Sequence, residues 1–467
     1  MFDVKEATID TLRRAMEAGE LTAWELVAAY GERVARLDAG PDGLHAVLQW
    51  NPDADAIAGQ LDREKAAGRT RGPLHGIPVL LKDNIDTGDH QHTTAGALAL
   101  ADHYAGADAP LVARLRQAGA VLQGKANLTE FANYMTQGMP GGYSAVGGQT
   151  VCPYKRDAGP SGSSAGSAVA VAANLCAVAV GTETGGSILA PSQRNGIVGL
   201  KPTLGLVSRG GVVPISHTLD TPGPMARTVA DAALLLEALA GEDPADPATV
   251  AVPRPANYRQ FLSGSARGLR VGVTHCRAKQ GDGDELLAGL RACGVELIDV
   301  PDLPPTTSLT TIMHYEFKAA LNAYLGSHNA EVSTLAELID RNRQLGRPAL
   351  RYGQSLLVDC ECNTSGRLTE PAYHAALTER ADTDAHLRRV FDEHRLDALV
   401  FLAGYTNLAP FVGWPALTVP VGRLANGLPT GCYLMARPWE EGTLLTLAHG
   451  LESAAAARFA PPEPAQP

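Results

Sequence analysis

Sixteen of the chain's 49 glycines fall within the 74 residues from Gly138 to Gly211. Glycine loses more backbone freedom on folding than any other residue, so such density must serve particular positions. It has no collagen-like period. Instead it is interleaved with serine, first in Gly162-Ser163-Ser164-Ala165-Gly166-Ser167 and again in Gly181-Thr182-Glu183-Thr184-Gly185-Gly186-Ser187. Two such segments need a rigid scaffold, and the rest of the chain can build one. Its 467 residues are 45% hydrophobic and 19% charged, which excludes a disordered polymer. A net charge of −11 counts against nucleic-acid binding, which needs a basic footprint.

The surrounding pattern alternates helix and strand. Residues 7–38 read as two amphipathic helices, the second opening on the capping box Thr22-Ala-Trp-Glu25. Gly76-Ile-Pro-Val-Leu-Leu-Lys82 reads as a buried strand ending in a lysine. Pro110 opens a helix that Gly119 stops, and a strand follows over 120–123. The alternation returns at 397–401 and 415–421, so the class is α/β. Residues 165–180, interrupted by Ser167 and Asn174, read as a buried helix too short to span a membrane. Gly241 to Pro255 reads as a surface linker, 256–395 as a helix-rich region without a motif, and 460–467 as a disordered tail. Seven scattered cysteines, with only Cys360 and Cys362 close together, read as free thiols rather than a zinc site. His90 and His92 lack a carboxylate pattern and read as surface loop. With no signal-peptide pattern at the N-terminus, the expectation is a cytoplasmic protein without metal, cofactor, membrane or nucleic-acid partner, acting as monomer or homodimer.

Three chemistries compete for the glycine–serine segment. Phosphate binding fails for want of a Gly-Lys-Ser/Thr ending or a G-x-G-x-x-G after a strand. The run 162–166 matches the G-x-S-x-G elbow of α/β-hydrolases, with Ser164 as nucleophile and His394 or His449 as base. That elbow needs an apolar strand before it, whereas residues 153–160 are polar and proline-broken. The third reading takes the segment whole. Together with Gly72-Pro-Leu-His-Gly-Ile-Pro-Val-Leu-Leu-Lys-Asp-Asn84, Gly196-Ile-Val-Gly-Leu-Lys-Pro-Thr203 and Asp220-Thr-Pro-Gly-Pro224, it resembles the amidase signature family. Ser163 and Ser187 stand 24 residues apart (187 − 163), the spacing of that family's two serines. The stretches 141–149 and 207–227 resemble its peptide amidase branch.

The resemblance implies the amidase signature fold, a central twisted mixed sheet flanked by helices, and an amidohydrolase using a Ser-cisSer-Lys triad. Ser187 would be the nucleophile, Ser163 the bridging serine on a cis peptide bond, and Lys82 the base. The backbone N–H groups of Thr184, Gly185, Gly186 and Ser187 would form the oxyanion hole, with Ser164, Thr182 and Glu183 in support. Lys125 and Lys201 carry no proton-transfer role in the resemblance, and loop position points to Met135 and Tyr143 as channel residues. A lysine serves as base only if burial depresses its pKa from about 10.4. Two positions depart from the family's commonest pattern: Glu183 replaces an aspartate and Leu189 an arginine. Loss of the arginine removes a carboxylate partner and favours neutral or apolar amides, such as C-terminal peptide amides or aryl and alkyl amides. The competing expectations are the A subunit of a glutamyl-tRNA amidotransferase and an esterase using Ser164. Because motifs from Lys82 to Pro224 must meet at one site, residues 1–459 are expected to form a single domain, with the core motifs in 70–230 and a pocket-shaping role for 256–395.

Overall fold

A computed structural model describes residues 2–250, 252–255, 257–274, 283–301, 303, 305–328, 330–402, 406–455 and 457–463. Its strands are β1 (Val47–Trp50), β2 (Pro78–Lys82), β3 (Val121–Ala126), β4 (Tyr143–Ser144), β5 (Gly148–Gln149), β6 (Val178–Glu183) and β7 (Val198–Lys201). There follow β8 (Thr221–Ala226), β9 (Arg270–Thr274), β10 (Glu296–Asp299), β11 (Ala398–Phe401), β12 (Ala416–Arg423) and β13 (Pro429–Ala436). Eleven of them form one mixed sheet in the order β1-β3-β2-β6-β8-β7-β12-β13-β11-β9-β10, while β4 and β5 pair separately. The expected α/β class with a central mixed sheet and flanking helices is what the chain adopts. No helix among the described residues is long and apolar enough to cross a membrane.

Strand β2 runs parallel to both β3 and β6, with Val79 opposite Val178 and Leu81 opposite Val180. Side chains alternate across a strand, and here both faces are covered. Val79, Leu81, Val178 and Val180 join the largest apolar cluster, with the helices Ile9–Glu17, Ala23–Leu37 and Val229–Leu239. Leu80 and Ala179 face the opposite cluster, formed around the helix Ala165–Ala172. The same alternation turns Lys82 towards that second helix. The helix can lie so close because its residues are small: a Cβ on Gly166 would stand 2.3 Å from the Asn127 carbonyl oxygen and 2.4 Å from that of Ala46.

Several local expectations hold in detail. Thr22 and Glu25 form the reciprocal capping box, with Thr22 N–H donating to Glu25 Oε2 at 2.8 Å and Glu25 N–H to Thr22 Oγ1 at 3.1 Å. Others are corrected. The apolar run 165–180 is not one helix: it ends at Ala172, turns through Asn174 at φ 57° and continues as β6. Asparagine tolerates that left-handed geometry, and the β-branched Val178 and Val180 favour the strand. The strand expected over 120–123 extends as β3 to Ala126. The segment read as a linker is a clamp, because buried Asp243 accepts from Ser208 Oγ at 2.6 Å and buried Asp246 pairs with Arg209 Nε at 2.9 Å. In the segment read as a disordered tail, Glu463 pairs with Arg33 at 2.7 Å and Arg36 at 3.0 Å, while 464–467 lie outside the described residues. Opposite charges hold what composition alone suggested was loose. Residues 256–395 are mainly helical but also supply β9 and β10 to the sheet.

Gly166→Ala is expected to lower stability by about 1–3 kcal/mol through overpacking, read from the urea midpoint at unchanged m-value.

Candidate active site

The carboxyl ends of parallel β2 and β6 lie side by side, the place where open α/β sheets present their chemistry. Lys82, the last residue of β2, is fully buried. Its Nζ donates to Ser163 Oγ at 2.7 Å, to Thr182 Oγ1 at 2.9 Å and to the Thr182 carbonyl at 3.2 Å. Asn84 Nδ2 donates to the same Thr182 hydroxyl at 3.0 Å, so it holds the acceptor that holds the lysine. Burial pushes the Lys82 amine down to about 7, against the opposing pull of Asp220 and Glu183.

Ser163 follows the cis Gly162–Ser163 peptide bond and leads into the helix Ala165–Ala172. Its carbonyl accepts from Thr129 N–H at 3.0 Å. Ser164 N–H donates to the Ser187 carbonyl at 3.1 Å, joining the two glycine–serine segments. The Ser164 hydroxyl is spent on Thr182, donating to its carbonyl at 3.1 Å. No strand leads directly into Ser164, and neither His394 nor His449 bonds to it, so the elbow of an α/β-hydrolase is absent among the described residues. Ser187 itself retains 9% exposure, opening the site to solvent where Lys82 and Ser163 are closed off.

The turn before Ser187 is held from two sides. Gly186 takes φ 98°, a left-handed geometry that favours glycine. Glu183 reaches under the turn, and its Oε2 accepts the N–H groups of Ile188 at 2.7 Å and Leu189 at 2.9 Å. Burial raises the Glu183 pKa despite these bonds and nearby Lys201. On the other side Thr184 Oγ1 donates to Asp220 Oδ1 at 2.5 Å. Burial lifts Asp220 to about 6 even though Thr184 and the N–H groups of Ser216 and Ile215 favour its charged form.

Residues away from this centre sort themselves by contact. Lys125 donates to the Ile85 carbonyl at 2.6 Å and Thr93 Oγ1 at 3.0 Å, and Lys201 to the Pro202 carbonyl at 2.7 Å. Neither touches the serines. Met135, expected as a channel residue, is fully buried in an apolar cluster with Phe131, Phe317 and Leu321. Tyr143 is buried edge-on against Tyr352 at 4.8 Å, with Arg351 over both rings at 5.7 Å. His90 pairs with Asp53 at the surface and His92 packs on Tyr104. Cys276 lies outside the described residues, and the other six cysteines are free. A cavity of about 730 Å³ opens between residues 133–139 and the helix Leu309–Ser327, lined by Tyr134, Met139, Met313 and Tyr315 among others. Asn84, Thr129 and Asp220 had no role assigned from sequence. Asn84 and Asp220 stand inside quoted motifs, which was the available signal.

The family model described as Amidase matches residues 25–403. The chain belongs to the amidase family. This amidase is 38% identical to a probable amidase of Arabidopsis thaliana over 98% of its own length and 92% of the relative's. It is also 35% identical to the A subunit of a glutamyl-tRNA(Gln) amidotransferase from a Synechococcus strain, over 95% of this chain and 96% of that one. Among solved structures, native peptide amidase from Stenotrophomonas maltophilia superposes with a TM-score of 0.92 at 43% identity, covering 98% of both chains. The amidase signature expected from the motifs is thus present, and the protein is an amide-hydrolysing enzyme.

Between pH 7 and about 10.4 a Lys82 amine neutral in the folded state is protonated in the unfolded one, so wild-type stability rises with pH there. Relative to Lys82→Met, which lacks this titration, the wild type should lose about 1.4 kcal/mol per pH unit as pH falls through that window. Urea midpoints of the two proteins at pH 7, 8.5 and 10 check it.

Proposed function

We propose that this amidase hydrolyses neutral carboxamides, C-terminal peptide amides foremost, through Ser187, Ser163 and Lys82. The reading is carried by the 2.7 Å bond between Ser163 Oγ and a buried Lys82 amine whose pKa sits at about 7. A neutral amine at that position can accept a proton from Ser163, which in turn takes one from Ser187. The reading requires the Ser187 and Ser163 hydroxyls to come within hydrogen-bond reach in the substrate complex, where catalytic contacts commonly tighten.

Attack of Ser187 Oγ on the amide carbon forms the C–O bond and places negative charge on the carbonyl oxygen. The N–H groups of Thr184, Gly185, Gly186 and Ser187 receive it, and one such donor contributes about 3–4 kcal/mol to the transition state. As the C–N bond breaks, the proton held by Lys82 returns through Ser163 to the nitrogen, which leaves as ammonia or amine. Water then repeats the sequence on the acyl ester, releasing the carboxylic acid and restoring Ser187. The reaction uses only this chain's residues, substrate and water.

One observation favours a neutral acyl portion. Leu189 is buried in an apolar cluster with Leu219, Leu309 and Ile312, so position 189 offers no cation for a substrate carboxylate. Similarity to the A subunit of an amidotransferase makes glutamine the informative counter-substrate.

Ser187→Ala and Lys82→Ala should each lower kcat/KM by about 10³-fold or more. Lys82→Arg should be equally inactive, since a guanidinium stays protonated. For the wild type, log kcat/KM should climb with pH and level off above about 7, because the deprotonated amine is the active form. Ammonia release from peptide amides, aryl and alkyl amides and glutamine ranks the substrates. Preference for glutamine, or full activity of Lys82→Ala at neutral pH, would sink the reading.

A further inference from the structure

The helix Leu309–Ser327 lies in the part of the chain that carries no motif, yet it bears a carboxylate with no exposure at all, Glu316. Its two oxygens accept from the hydroxyls of Ser216 and Thr218, from Thr218 N–H at 3.0 Å and from the Tyr373 hydroxyl at 2.6 Å. The His217 imidazole stands 3.3 Å away. Most of these partners come from one loop, residues 215–220. That loop ends on Asp220, whose Oδ2 accepts from Ile215 N–H at 2.9 Å and Ser216 N–H at 3.0 Å. The other oxygen of Asp220 receives the Thr184 hydroxyl at 2.5 Å. A continuous line of buried hydrogen bonds therefore runs from Glu316 through Ser216 and Asp220 to Thr184. The same helix meets the turn directly at its first residue, where a Cβ on Gly185 would lie 3.2 Å from Leu309 Cδ2.

We propose that Glu316 is a positioning residue for turnover, setting the placement of the Thr184–Ser187 turn through the 215–220 loop and Asp220. The inference rests on the reading of that turn as the site that stabilises the oxyanion of Ser187. A buried carboxylate is costly, and apolar replacements of buried charge are often neutral or stabilising, so stability alone is a poor reason for Glu316. Placement is a better one. Oxyanion donors act only when they stand within about 2.7–3.1 Å of the developing charge, and an error of about 1 Å costs on the order of 10²-fold. Asp220 divides its oxygens between the loop and Thr184, so a loop released from Glu316 carries the turn with it.

The test is Glu316→Gln in the full-length enzyme, assayed on a peptide amide with sites counted by a fluorophosphonate that labels Ser187. An amide offers one acceptor oxygen where four donors converge, so the loop loses part of its anchor. The expected result is a kcat per labelled site lower by about 10- to 100-fold with KM within about threefold, since the loss falls on the transition state. Asp220→Asn should give the same signature, and the double variant should be no worse than the poorer single one by more than about threefold. Ser216→Ala combined with Thr218→Val cuts the same line from the loop side while keeping the carboxylate, and should reproduce the kcat loss if Glu316→Gln fails to fold. An unchanged kcat per labelled site in these variants, with only fewer sites or a lower Tm, overturns the proposal. Ser187→Ala separates the levels: activity surviving there sinks the reading of the turn itself, whereas activity lost there but kept in Glu316→Gln sinks the positioning role alone.

Discussion

Parallel pairing of β2 with β6 buries the Lys82 amine between Thr182 and Ser163, and much of the surrounding structure serves to tolerate that burial. In water the ammonium form would dominate up to about pH 10.4. Here desolvation brings the amine down to about 7, where a proton acceptor is useful. Hydrogen bonding alone could not do this, because every acceptor around Nζ favours the charged form. The lysine must be enclosed, and enclosure needs apolar layers on both faces of β2.

Enclosure makes the nearby acids equally consequential. Glu183 and Asp220 would hold Lys82 protonated if they approached it as partners. Instead each is engaged elsewhere, Glu183 by the Ile188 and Leu189 N–H groups and Asp220 by Thr184, Ile215 and Ser216. Each acid thereby does two things: it keeps its distance from the amine and it fixes the turn that carries Ser187. Glu316 extends the same arrangement outward to the helices Leu309–Ser327 and Pro371–His394, which contributes Tyr373. On the far side of the 215–220 loop, Arg209 donates to the His217 carbonyl while paired with Asp246. The loop is thus gripped by parts of the chain distant in sequence.

Much of this was legible before folding. Local chemistry announced the capping box at Thr22, the glycine-dense segments and the lysine at the end of an apolar strand, because each depends on neighbours within a few residues. Where the outcome depended on distant partners, the reading missed. The run 165–180 had one composition and two structures, divided by Asn174. Residues 241–255 looked like a linker because their aspartates meet Ser208 and Arg209 only in space. Met135 sits beside Tyr134 and Thr136, which face the cavity, yet it points into the core.

By itself the sequence determined where to look: a lysine at the end of an apolar strand, two glycine-dense segments each carrying serine, and motifs that resemble one family of amidases. The first two follow from local order, whereas the roles proposed for Lys82, Ser163 and Ser187 came from the resemblance. Only the tertiary structure decided how deeply Lys82 is buried, which carboxylates are kept from it, and that Glu316, 129 residues beyond Ser187 (316 − 187), is tied to the turn beside it. Burial and hydrogen-bond partnership are properties of neighbours in space, and the chain order does not contain them until the sheet has formed.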